Sequence, residues 1–136
     1  MERACELADR AIALGKNDQL APWFIFGKGL ADYRRGNFRA AIEGLDSLLS
    51  KAAVGIPELT TCYHLVLAMA VHQQGNEKAA RDHLTRADKL LKEYLLDPVR
   101  LPIPRNSRYN HDWLIPWLLH REAQELIDGK KTELNK

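Results

Sequence analysis

The stretch YRRGNFRAAIEGL at residues 33–45 recurs in pattern as HQQGNEKAARDHL at residues 72–84. Each copy carries a Gly-Asn pair, followed by an alanine and a leucine at matching positions: Ala41 and Leu45 in the first, Ala80 and Leu84 in the second. Glycine adopts the backbone conformations that a tight reversal needs, and small residues let two helices cross closely. The repeated pattern therefore predicts two pairs of antiparallel helices, each reversed at its Gly-Asn joint.

Apolar residues continue at helical spacing on both sides of these joints, and the alternation typical of strands is absent. The fourth predicted helix is apolar on most of its faces, which predicts that it is buried between neighbouring helices. Six helices are predicted, at about residues 2–14, 21–35, 38–51, 58–74, 77–95 and 111–127.

Residues 97–110 have a different character, because three prolines and three arginines fall within them. Proline disfavours helix, so this segment is expected to be extended. Its arginines are Arg100, Arg105 and Arg108. They either bind phosphate or an acidic partner, or remain solvated on a tether laid across the helices.

The composition of the chain argues against several classes of function. The 136 residues hold 20 basic and 18 acidic side chains, a net charge of +2 that favours neither nucleic acid nor an anionic membrane as partner. The longest apolar run, residues 65–71, is much shorter than the roughly 20 residues of a membrane span.

Cys5 and Cys62 lie in apolar helical stretches and are expected to be free thiols, which suggests a reducing, cytoplasmic location. Neither the five histidines nor any other grouping has the spacing of a metal or catalytic site, so no enzyme activity, metal or cofactor is expected.

The paired helices, their Gly-Asn joint and the downstream alanines resemble the tetratricopeptide repeat. The resemblance implies an all-α, right-handed superhelix of antiparallel helix pairs. Ala4, Ala8 and Ala11 have the spacing of Ala80, Leu84 and Ala87, so the first helix resembles the second half of a preceding repeat. A single domain is thus predicted over residues 1–129, with a half repeat at 1–15, repeats at 21–51 and 58–95, a proline-rich connector at 96–110, a closing helix at 111–128 and a tail at 130–136.

Two longer stretches, PWFIFGKGLADYRRGNFRAAI and HDWLIPWLLHREAQELI, resemble the tetratricopeptide regions of large bacterial serine/threonine kinase-like and WD-repeat proteins. This resemblance implies part of a multidomain regulatory protein. A lone second half-repeat would also leave an apolar edge, which repeat arrays normally cap. We therefore expect either preceding repeats or self-association through the N-terminal edge.

The register of the second helix is open between two alternatives. Counting back from Gly36 places Lys28 and Asp32 at positions that are usually apolar in the repeat family. The other register aligns Trp23, Phe26, Gly27 and Leu30 with the family motif, but it makes the turn before Gly36 two residues too long.

The expected function is that of a protein–protein interaction scaffold or adaptor with a protein or peptide partner. A candidate peptide groove combines aromatic, basic and polar side chains of two helices, the residue types that interfaces favour. Its predicted members are Phe26, Tyr33, Arg34, Met69, His72 and Gln73. The alternatives are that the large apolar side chains belong to the core between helices, and that the domain is a structural cap or homodimerisation module without a groove.

Overall fold

Among the residues that it describes, the computed structural model shows five helices with defined bounds and a two-stranded hairpin. It describes residues 3, 6, 7, 9 and 10, 21–49, 57–97, 101–104 and 114–129. The elements are α1 (Ala21–Arg34), α2 (Phe38–Leu49), α3 (Pro57–Gln73), α4 (Glu77–Tyr94), β1 (Leu95–Asp97), β2 (Leu101–Pro104) and α5 (Leu114–Asp128). In the first predicted helix, the five described residues are helical. The expectation of a helical fold is confirmed, with the hairpin as an addition.

The two Gly-Asn joints have the same hydrogen bonds. In the first, the Asn37 amide donates to the Asp32 carbonyl at 2.9 Å and the Gly36 amide donates to the Tyr33 carbonyl at 3.0 Å. In the second, the Asn76 amide donates to Val71 at 3.0 Å and the Gly75 amide donates to His72 at 2.9 Å. This pattern closes a helix through a residue with positive φ, and the φ angles of the two glycines are 81° and 85°.

Each asparagine then begins the next helix. The Asn37 carbonyl accepts from the Ala41 amide, and the Asn76 carbonyl accepts from the Ala80 amide. At the second joint the Asn76 side chain also accepts from the Ala79 amide at 3.2 Å, so it caps α4. One dipeptide thus ends one helix and starts the next, which explains why the chain reverses so tightly at both places.

The centre of the fold is α3, which packs against α1, α2, α4 and α5. Every residue from Thr61 to Val71 is buried. This confirms the prediction that the fourth predicted helix is enclosed by its neighbours. Burial of one leucine or valine side chain stabilises a fold by about 1.5–3 kcal/mol, so α3 contributes much of the core. Near its start, Thr61 Oγ1 donates to the Pro57 carbonyl at 2.7 Å.

The structure shows which face of α1 packs against the other helices. Gly29 and Asp32 are buried, whereas Gly27 is exposed. The Asp32 carboxylate, only 4% exposed, accepts a hydrogen bond from Lys28 Nζ at 2.8 Å. That bond raises the pKa of Lys28 against the opposing effect of its partial burial. The buried Asp32 carboxylate is tolerated on this face of α1 because Lys28 compensates its charge.

The C-terminal part differs from expectation in its details. Leu95 and Asp97 of β1 lie opposite Pro104 and Leu101 of β2 in an antiparallel hairpin with an irregular register, where only extended chain was predicted. The three arginines of this segment lie outside the described residues. Within the described part of the chain, no helix combines the length and the apolar character needed to cross a membrane.

Candidate interaction surface

The six predicted groove residues separate into three groups. Phe26 is 6% exposed and its ring stacks on that of Tyr63 with centroids 6.1 Å apart, while Met69 is fully buried. These two are core residues, which corrects their assignment to a groove, and Tyr33, at 8% exposed, belongs to the same core. Large apolar side chains are usually buried between helices, because removing their apolar surface from water stabilises the fold.

Three of the other residues, Tyr33, Arg34 and Gln73, form a group that α5 joins through Glu122. Arg34 at the end of α1 donates from both terminal guanidinium nitrogens to the Glu122 carboxylate, Nη2 to Oε2 at 2.7 Å and Nη1 to Oε1 at shorter range. The guanidinium also lies over the Tyr33 ring, 5.7 Å from its centroid. The side chains of Tyr33 and Gln73 are hydrogen-bonded to each other. We call Tyr33, Arg34, Gln73 and Glu122 the Arg34 cluster.

The electrostatics of the Arg34 cluster follow from its partial exposure. The hydrogen bonds to Glu122 raise the pKa of Arg34, and burial raises the pKa of Tyr33. The Arg34 and Glu122 side chains are 42% and 35% exposed, so their ion pair is screened by water and contributes no more than about 1 kcal/mol to stability. Another carboxylate can therefore replace Glu122 as the partner of Arg34 at little cost in free energy.

Further polar contacts hold α5 in place. His120, which is buried, forms a short contact through Nε2 with Oδ1 of Asp88 on α4. Arg81 of α4 donates to Asp128 at the end of α5 at 3.0 Å. With the buried face of α5 packed on α3 and α4, these contacts fix where Glu122 lies relative to α1.

His72, the sixth predicted groove residue, does not join the Arg34 cluster. It is half-buried, and its Nδ1 lies beside the Glu77 carboxylate in the first turn of α4. Its role is thus at the second helix joint, where it links the end of α3 to the beginning of α4.

A pair of histidines links α3 to α4 on another face. The Nδ1 atoms of His64 and His83 are 3.0 Å apart, which is hydrogen-bond distance when one ring donates and the other accepts. Burial, then the neighbouring His83 and Arg86, lower the pKa of His64 from 6.5 to about 4. Burial also lowers the pKa of His83, with Arg86 acting in the same direction and Asp46 and Asp82 opposing. Both rings are therefore neutral near pH 7.

This pair makes stability depend on pH. In the unfolded chain His64 regains its ordinary pKa near 6.5, so as the pH falls the unfolded state takes up a proton before the folded state does. Stability is full above about pH 6.5 and is lost progressively toward about pH 4. Between about pH 7 and about pH 5 we expect the contribution of His64 to lower the free energy of unfolding by about 1–2 kcal/mol. Urea denaturation at the two pH values measures it, and in His64→Phe the difference between them should shrink; an undiminished difference would assign the loss to other groups.

The large hydrophobic side chains that the described part of the chain exposes lie on two elements. Leu114, Ile115 and Leu118 of α5 are 44%, 45% and 49% exposed. Leu7 of the first helical segment is 58% exposed. Clustered exposed apolar side chains are typical of protein-contacting surfaces, whereas scattered single ones are ordinary.

Other reactive side chains have structural surroundings. Cys62 is a free, buried thiol, and burial raises its pKa, so it remains protonated. Cys5 lies outside the described residues. Among the described residues, no group of three or more His, Cys, Asp or Glu side chains is placed to hold a metal ion.

Sequence reasoning missed two of these contacts. Arg34 and Glu122 are 88 residues apart, and no local pattern links them. A signal for the histidine pair did exist, since His64 precedes Gly75 and His83 follows it at comparable separations along the chain. Helices that reverse at a tight joint bring residues at similar distances from that joint together, and a search limited to histidines on one helix does not see this.

Comparisons with protein-family models, with curated proteins and with solved structures found no match to this chain.

Proposed function

We propose that the protein is a peptide- or protein-binding scaffold domain whose contact surface is the Arg34 cluster. The observation that supports it is the convergence of three helices on one partly exposed polar group. An arginine stacked on a tyrosine ring, and rimmed by a glutamine and a glutamate, combines residue types that dominate binding energy at interfaces. The Arg34 cluster contains three of the six predicted groove residues.

The chemistry of the cluster favours a ligand with a carboxylate. Arg34 offers two parallel N–H donors, a geometry that matches a carboxylate. In the free protein Glu122 takes that place, so an acidic side chain or C-terminus of a partner would compete with it. Because the internal pair is partly exposed, the competition costs little.

In this proposal the helix pairs form a tetratricopeptide-like superhelix within a larger, cytoplasmic bacterial regulatory protein, and α5 closes the array. Two further observations support the repeat interpretation. The two Gly-Asn joints have matching hydrogen bonds, and Gly129 at the end of α5 has a positive φ of 64°, like Gly36 and Gly75. The proposed role is to present one rigid surface to a partner with little ordering cost.

The test begins with peptides selected from a displayed random library on the 136-residue chain, and measures their affinity by fluorescence anisotropy. Arg34→Ala should weaken binding by at least about tenfold, because it removes the bidentate donor. Glu122→Gln should tighten binding of acidic peptides, because it removes the internal competitor.

The matched control for this test is Arg39→Ala. Arg39 is an exposed arginine of α2 that pairs with Glu43 at 3.0 Å, away from the Arg34 cluster. It should leave the affinity unchanged. Equal affinities for wild type, Arg34→Ala and Arg39→Ala would exclude the cluster as the binding surface.

A second candidate function is structural, in which the domain joins or caps a helical array without binding a peptide. The observation that favours it is the group of exposed apolar side chains on α5, which are Leu114, Ile115 and Leu118. Mass measurements at increasing concentration separate the two candidates, since a peptide-binding scaffold has no need to self-associate.

A further inference from the structure

We draw no further inference here: the strongest candidate, the exposed apolar face of α5 formed by Leu114, Ile115 and Leu118, carries none because nothing in the described part of the chain shows what covers it.

Discussion

Gly29→Ala should lower the free energy of unfolding by about 2–3 kcal/mol, although alanine is the better helix former. A Cβ atom at this position would lie 2.7 Å from both Cγ and Cδ2 of Leu45. Leu45 is fully buried in α2, so its side chain has no space to move into. The substitution must therefore push α1 away from α2 at their closest approach, and this loosens the packing of the whole pair.

Gly27→Ala is the matched control for that prediction. Gly27 lies two residues earlier in the same helix, is exposed, and a Cβ there meets nothing within 4 Å. Only helix propensity changes, so this variant should be more stable than wild type by about 0.5–1 kcal/mol. Urea denaturation of both variants gives the two values. Equal effects at the two glycines would show that the helices are not in contact at Gly29.

Leu119→Ala should lower the free energy of unfolding by about 2–4 kcal/mol, because it leaves a cavity between α5 and the rest of the core. Leu119 is 5% exposed, and it belongs to the face of α5 that packs on α3 and α4. The adjacent Leu118 is 49% exposed. Leu118→Ala is therefore expected to change stability by no more than about 0.5 kcal/mol.

The two leucine variants are best compared by chemical denaturation at low protein concentration, where association does not contribute. Their difference tests which face of α5 is inside. If Leu118→Ala proved to be the more damaging substitution in the dilute protein, the open face would be the opposite one. Leu118 would then belong to the core.

Several features could be predicted from sequence because local chemistry determines them. Gly36 and Gly75 end helices since glycine tolerates the positive φ that the reversal requires. The burial of α3 followed from apolar residues on most of its faces, since no orientation of such a helix leaves it stable in water. The last helix was expected from residue 111, and the described helix begins at Leu114, with Pro116 in its first turn where proline is tolerated.

Other features depend on contacts between distant parts of the chain. The fold buries the carboxylate of Asp32, and Lys28 one turn earlier supplies the compensating charge. Phe26 and Met69 suit a groove or a core equally well as residue types, and only their packed neighbours decide.

The sequence by itself determined the helices, their two matching joints and the central place of α3, because backbone preference and apolar periodicity act over a few residues. Only the tertiary structure decided which face of α1 is buried, the partner of Arg34 and the face that α5 leaves open. Each of these is set by which surfaces meet across the fold. Two helices with similar periodicity can present either face, and the choice follows from the total burial that their neighbours allow.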